Sequence, residues 1–186
     1  MAYVPTDEEI VRSILNGEGG RKFKILFDRY HEKVVDKCYG FVKKRVIAEE
    51  MAEDVLSRAY EKLSGFKFKS SFSSWLYAIT YNHCIDYLRE KKRLHYPQWN
   101  RENELPEIID ESYEQMNSID YEKVLQILEM IHPEEKALIW MKYHDNLSLK
   151  EIGNSLRISE DAAKMRLKRA KARVLYMYKE KYPEKD

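Results

Sequence analysis

The segment LSLKEIGNSLRISEDAAKMRLKRAK, residues 147–171, decides the architecture of the C-terminal part of the chain. Ser148 followed by Glu151 is a capping box, which predicts the start of a short helix. Residues 157–159 interrupt that helix, and Ser159 can cap a second helix. Apolar residues recur at helical spacing along the second helix, at Ala163, Leu167, Ala170 and Val174. This order of short helix, turn and longer helix predicts a helix-turn-helix.

The second helix of this segment is strongly basic. Between residues 162 and 175 there is no acidic residue, and the cations are Lys164, Arg166, Lys168, Arg169, Lys171 and Arg173. A charged run on a helix is more often a solvated face, but solvated faces usually mix both signs, and like charges repel. Long basic side chains on a helix in the major groove can reach phosphates and base edges. The segment therefore predicts contact with duplex DNA.

The rest of the chain predicts an all-α protein of 186 residues with two small domains. We expect the domains at residues 1–95 and 120–186, joined by an acidic linker over residues 96–119. The net charge of +1 hides this segregation of charge. Helix starts are predicted at the capping box of Thr6 and Glu9, at Asp120 and at Pro133. Intervening helices are expected from about Ala48 to Leu63 and from Phe72 to about Leu94.

The stretch FSSWLYAITYNHCIDYLR, residues 72–89, combines aromatic side chains, an amide and a basic end. Aromatic faces and polar partners are what an unstacked base of a single strand requires. The alternative is that its large side chains pack the core, which we favour for Trp75. Asn82 is the member whose polarity a core position does not explain.

Several classes of protein are excluded or disfavoured. No apolar run approaches the roughly 18–20 residues needed to span a bilayer, and the N-terminus lacks a secretion signal, so we expect a cytoplasmic protein without membrane insertion. Cys38 and Cys84 lie in apolar helical patterns and are expected to be buried, reduced thiols. The histidines, including His83 and His144, are scattered and predict surface or packing roles. No motif predicts catalysis, a metal site or a cofactor.

The two quoted segments, residues 72–89 followed by residues 147–171, resemble bacterial RNA polymerase sigma factors of the sigma-70 superfamily, specifically the extracytoplasmic-function group. The resemblance implies that the helix-turn-helix reads the promoter −35 element through Lys164, Met165, Arg166, Lys168, Arg169 and Lys171. It implies that residues 72–89, with the loop before them, capture −10 bases through Asn82, Asp86, Arg89, Lys92 and Arg93. Residues 51–63 resemble the helix that docks on the polymerase β′ coiled coil, with Glu53 and Asp54 as docking residues.

The chain departs from the family pattern at several positions. Ala162 and Met165 stand where the family usually has a hydroxyl residue, and Gly153 stands where it usually has alanine. Arg157 replaces a turn glycine. In the docking helix, residues 57–58 are Ser-Arg where glutamine and glutamate are typical.

The resemblance implies a non-catalytic initiation factor whose partners are core RNA polymerase, through its β′ and β subunits, promoter DNA and an anti-sigma protein. The alternative is a helix-turn-helix regulator with a sigma-like fold that does not join polymerase. A third hypothesis is an interaction or structural protein, which predicts no loss of function when Lys164, Arg166 and Arg169 become alanine.

Overall fold

A computed structural model describes residues 4–92 and 120–183, apart from the side chains of Glu18 and Lys92. In these ranges all regular structure is helical, so the all-α prediction is confirmed. The chain divides into two compact units, Met1–Arg93 (unit 1) and Leu94–Asp186 (unit 2). The predicted linker lies outside the described residues, and its acidic character stays a sequence observation. No helix of the described ranges is both long and apolar enough to cross a bilayer.

The described part of unit 1 contains four α-helices: α1 (Asp7–Ser13), α2 (Gly19–Val42), α3 (Arg45–Glu61) and α4 (Phe72–Lys92). The predicted capping box is confirmed, because Thr6 Oγ1 accepts the Glu9 N–H at 3.3 Å and the Glu9 carboxylate accepts the Thr6 N–H at 2.7 Å. Between α1 and α2 the chain turns at Gly17, whose φ of +99° is readily adopted only by glycine.

Helix α3 begins and ends earlier than the sequence predicts, at Arg45 and Glu61 instead of about Ala48 and Leu63. Its N-cap, Lys44, provides no side-chain hydrogen bond, so the sequence carries no capping signal there. After α3, residues 63–65 form a 3₁₀ turn that buries Leu63. The predicted helical pattern therefore included a buried residue that belongs to the following turn.

The core of unit 1 contains one face of α2. Its buried members are Phe23, Leu26, Tyr30, Val34, Val35, Cys38 and Phe41. Cys38 and Cys84 are buried and free, with their Sγ atoms 3.7 Å apart, which confirms the predicted thiols. The hydrogen bond to Cys38, together with burial, raises the pKa of the Cys84 thiol well above its usual value. This thiol is therefore protonated and unreactive at neutral pH.

The described part of unit 2 also contains four α-helices: α5 (Tyr121–Leu128), α6 (Pro133–Ile139), α7 (Leu149–Leu156) and α8 (Glu160–Lys181). Each helix has an N-cap side chain that accepts the backbone N–H of a residue two or three positions ahead. The four N-cap residues are Asp120, His132, Ser148 and Ser159. The three predicted caps are confirmed, as is Pro133 in the first turn of α6. His132 is an additional cap, because its Nδ1 accepts the Glu134 N–H at 3.2 Å.

The C-terminal end of α8 packs against α5. Ile127, Leu128 and Ile131 form a buried cluster, covered in part by Val124, Ile139, Trp140, Val174, Met177, Tyr178 and Tyr182. The Tyr178 hydroxyl accepts the Asp120 N–H at 3.2 Å, and the Tyr182 hydroxyl donates to Gln126 at 2.7 Å. The half of α8 beyond the helix-turn-helix therefore anchors the helix to the rest of unit 2.

Candidate nucleic-acid interface

The turn between α7 and α8 has a tight geometry that accounts for the glycine at Gly153 but not for the arginine at Arg157. Arg157 adopts the left-handed conformation, with φ of 55°. Gly153 lies so close to the turn that a Cβ there would stand 2.9 Å from the Ile158 carbonyl oxygen. Glycine is therefore required at Gly153 in this geometry, whereas Arg157 occupies a conformation that glycine would adopt without strain.

Helix α8 turns its apolar residues inward as predicted, with Ala163, Leu167 and Ala170 buried. Lys164, Met165, Lys168 and Arg169 are exposed on its other faces. Lys171 is partly buried, and its Nζ lies 5.9 Å from the centre of the Tyr143 ring. The exposed set presents three cations and one apolar side chain along two turns of a regular helix.

Arg166 has a different environment from the other predicted −35 residues. Its Nη1 lies 3.5 Å from Oε2 of Glu134, whose side chain is only 3% exposed. Two turns further along α8, the Nε of Arg173 donates to Oε1 of the fully buried Glu135 at 3.1 Å. The first turn of α6 thus provides two carboxylates that bind α8 from the inside.

The carboxyl group of Glu135 has an unusual electrostatic state. Burial raises its pKa, and the charge of Arg173 opposes that rise. In the described part of the chain its Oε2 atom has no hydrogen-bond partner. Because an incompletely paired buried carboxylate is unfavourable, the charge of Arg173 offsets only part of the cost of burying Glu135.

Sequence reasoning missed the role of these two acids, since the pattern around Pro133 indicates only that Glu134 and Glu135 complement the dipole of α6. The positions of two arginines in α8 nevertheless indicated that they pair with acidic residues. Arg166 and Arg173 share a face with Ala170, at spacings of four and three, and Ala170 belongs to the apolar side of α8. A cation on the buried face of a helix requires an acidic partner.

In unit 1, one face of α4 collects the predicted −10 residues. Trp75, Ile79, Asn82, Asp86 and Arg89 follow at spacings of three or four, so they lie on the same side of the helix. The first three are partly exposed and the last two are exposed. Nη1 of Arg89 lies 3.5 Å from the Asp86 carboxylate. Two further predicted −10 residues cannot be placed on this face, because the side chain of Lys92 and the whole of Arg93 lie outside the described part of the chain.

The N-terminal end of this face adjoins an aromatic cluster. Phe66 contacts Phe68, Trp75 and Phe72 with ring centres 4.7, 5.3 and 6.1 Å apart. Phe66 and Phe72 are buried, while Phe68 and Trp75 are partly exposed. Trp75 therefore packs against the core, as favoured, and keeps part of its surface at the solvent.

The predicted docking residues lie on α3. Glu53 and Asp54 are both exposed, and Oδ2 of Asp54 lies 3.9 Å from Nε2 of His83 on α4. Burial, reinforced by the nearby charge of Arg58, lowers the pKa of His83. At neutral pH the imidazole is therefore uncharged and does not neutralise the exposed carboxylates of Glu53 and Asp54.

Comparison with known families and proteins extends over most of the chain. The model of Sigma-70 region 2 matches residues 26–94, and that of Sigma-70 region 4 matches residues 121–174. The ECF RNA polymerase sigma factor SigW of Bacillus subtilis is 31% identical over 163 residues, which cover 80% of this chain and 84% of that protein. The sigma factor SigM of Mycobacterium tuberculosis is 24% identical, covering 91% and 83%.

Solved structures show the same fold. CnrH, in complex with the cytosolic domain of CnrY, matches with a TM-score of 0.60 and 18% identity, over 92% of this chain and 96% of that one. The sigma factor RpoE of Bartonella quintana, in complex with the anti-sigma factor NepR, matches with a TM-score of 0.58 and 18% identity, over 86% and 98%. At this identity the likeness supports the fold alone.

Proposed function

The chain belongs to the extracytoplasmic-function group of RNA polymerase sigma factors, and from this premise we propose that its two units divide promoter recognition between them. Unit 1 captures unstacked −10 bases and docks on core polymerase. Unit 2 reads the −35 element as a duplex. The protein acts in initiation as a promoter-specific factor.

The −10 assignment rests on the single face of α4 that leads from the aromatic cluster to Asn82 and on to Arg89. A flipped base needs a ring to stack on and hydrogen-bond partners for its polar edge. Trp75 offers a partly exposed ring at one end of the face, and Asn82 offers an amide two turns further on. We assign Asn82 to base recognition and Asp86 and Arg89 to its flank.

The −35 assignment rests on the exposed cations of α8. Lys164, Lys168 and Arg169 lie on the outer faces of a helix that is slim enough for the major groove. Met165, 49% exposed, adds an apolar contact between them. Arg166 and Lys171 belong to the same surface, but Arg166 also binds Glu134 and therefore has a structural role in addition.

The docking assignment rests on Glu53 and Asp54, which are exposed on α3 beside the uncharged His83. We propose that these carboxylates bind the β′ coiled coil, with further contacts to β, and that the protein works in the cytoplasm. Because one structural neighbour is a sigma factor bound to an anti-sigma factor, we also propose an anti-sigma partner for this chain.

A two-stage promoter assay tests the division of labour. Holoenzyme is assembled with Asn82→Ala, and closed and open complexes are quantified separately on a duplex promoter that the wild type opens. Loss of one base contact should reduce open-complex formation by about tenfold and leave closed-complex affinity unchanged. Asp28→Asn, at an exposed position of α2, is the control. Equal losses in both stages would count against base capture.

Docking is tested by charge reversal on α3. Asp54→Lys should weaken binding to core polymerase, whereas Glu61→Lys at the end of the same helix should not. Affinity is measured by fluorescence anisotropy of the labelled factor. Promoter duplex binding should be unchanged in both variants. Equal affinities of the two variants for core polymerase would show that docking lies elsewhere.

A further inference from the structure

Helix α1 lies before residue 26, where the match to the Sigma-70 region 2 model begins, yet its side chains contact the surface assigned to −10 capture. We propose that α1 is a positioning element for that surface. Glu8 and Arg12 hold the loop of residues 66–71 and the first turn of α4 in the shape that captures a base. The inference rests on the proposed −10 function of this site.

Glu8 caps the first N–H of α4. Its Oε1 accepts the backbone N–H of Phe72 at 3.0 Å, across 64 positions of sequence. The first N–H groups of a helix have no partner within it, and a carboxylate is the favoured acceptor because of the helix dipole. Ser71 provides the local part of the cap, since its Oγ accepts the Ser74 N–H at 3.1 Å. The first turn is therefore tied both to its own loop and to α1.

Arg12 holds the loop itself. Its guanidinium carbon lies 5.0 Å from the centre of the Phe68 ring, within cation–π distance. Phe68 has a φ of 54°, a left-handed conformation that is unfavourable for a bulky residue. Such a conformation persists only when its surroundings impose it. The contacts that impose it here are those of Arg12 and of Phe66, whose ring centre is 4.7 Å away.

Helix α1 is itself fixed to α2, so it can act as a support. Asp7 binds Nη1 of Arg29 at 2.8 Å and accepts a hydrogen bond from the Tyr30 hydroxyl. Ile10 and Val11 are buried in the core of unit 1. The Tyr30 ring also packs edge-on against Phe72, with centres 5.5 Å apart. One connected set of contacts therefore links α2, α1 and the start of α4.

Electrostatics alone makes the opposite prediction for Glu8. An anion beside a surface that binds nucleic acid repels phosphates, so its removal should strengthen binding. If Glu8 positions the loop, its removal should weaken binding. The sign of the change therefore separates the two explanations.

The experiment uses the full chain in holoenzyme and a fluorescent single strand that carries the non-template −10 sequence of a promoter the wild type opens. Glu8→Ala and Arg12→Ala should each weaken binding by about fivefold, the size of a lost helix cap. Glu8→Gln keeps an oxygen acceptor and should restore most of the affinity. Controls are Asp28→Ala and Lys24→Ala, which remove the same charges from an exposed ion pair of α2. Affinities for core polymerase and −35 duplex should not change.

Hydrogen exchange gives a readout that does not depend on DNA. In Glu8→Ala and Arg12→Ala, the amides of residues 66–74 should exchange faster, while those in the middle of α2 and α3 keep wild-type protection, which also shows that unit 1 is folded. Unchanged exchange in the loop, or tighter binding by Glu8→Ala, would overturn the inference. For Arg12→Ala, a fall of about 0.7 in the slope of log affinity against log salt concentration would identify a phosphate contact and would also overturn the inference. If the wild-type holoenzyme fails to bind the strand, the −10 proposal itself fails.

Discussion

Helices α4 and α8 both carry a proposed promoter surface, but their first turns are stabilised in different ways. α8 starts at Ser159, which accepts an N–H only three residues ahead at 3.1 Å. α4 also has a local cap, from Ser71 to the Ser74 N–H, but its first N–H, that of Phe72, donates to Glu8 of another helix at 3.0 Å. A surface that reads duplex DNA needs a regular helix with outward cations, and local signals suffice to form it. A surface that captures bases needs a shaped aromatic loop, which requires support from elsewhere in the unit.

The two surfaces also differ in how their charges are compensated. On α4, Arg89 and Asp86 face each other at the surface, where ion pairs contribute little. On α8, the outer cations are exposed while Arg166 and Arg173 bind buried carboxylates of α6. The basic helix therefore has one set of cations for a ligand and another for its own position.

The largest effect is expected from removal of the outer cations of α8. Lys164, Lys168 and Arg169 changed together to alanine should lower affinity for −35 duplex on the order of 100-fold, at about 1 kcal/mol per side chain. The slope of log affinity against log salt concentration should decrease in magnitude by up to about 2.7, because the variant no longer neutralises three phosphates. Lys179→Ala, an exposed cation near the end of the same helix, is the control. A similar loss for the control would show a general charge effect instead.

A smaller effect, on stability, is expected at the inner set. Glu135→Ala removes a fully buried partner of Arg173 and should lower the free energy of unfolding by about 2 kcal/mol, less than a typical buried pair because Arg173 reaches solvent. Glu32→Ala, which breaks the exposed pair with Arg45 in unit 1, should leave stability unchanged within error. Chemical denaturation measures both. Equal losses would contradict the distinction between anchored and solvated charges.

The turn before α8 offers a test in both directions. Gly153→Ala places a methyl group 2.9 Å from the Ile158 carbonyl and should lower the free energy of unfolding by about 1–2 kcal/mol. Arg157→Gly relieves a left-handed residue and should raise it by about 0.5–1 kcal/mol, since the gain is offset by backbone entropy. Thermal unfolding of the two variants should therefore move in opposite directions. A shift of the same sign in both would contradict this description of the turn.

The smallest effect is a pH dependence at Glu135. Because burial raises the pKa of Glu135 in the folded state, that state binds the proton more tightly than the unfolded chain does. Its contribution to stability is therefore fully present below the unfolded pKa of about 4.3 and is lost as pH rises through the folded value. Glu135→Gln cannot titrate, so its stability relative to the wild type should increase between about pH 4 and pH 7. A relative decrease over that range would contradict the direction of the shift.

Sequence reasoning succeeded where a structural signal is local. The caps at Thr6, Asp120, Ser148 and Ser159 each involve residues no more than three positions apart, and all four are present. It failed at the start of α3, where Lys44 provides no side-chain cap. It also assigned Arg166 to DNA alone, because its partner Glu134 lies in a different helix.

The sequence by itself determined the all-α class, the helix-turn-helix and the basic character of α8, since helical periodicity and capping depend on neighbours within four residues. The tertiary structure decided which cations are anchored and which side chains shape the −10 surface. Those contacts join Glu135 to Arg173 and Glu8 to Phe72 across 38 and 64 positions. Helical periodicity relates residues only three or four positions apart, so it cannot indicate contacts over these separations. Such contacts form only when the intervening chain has folded.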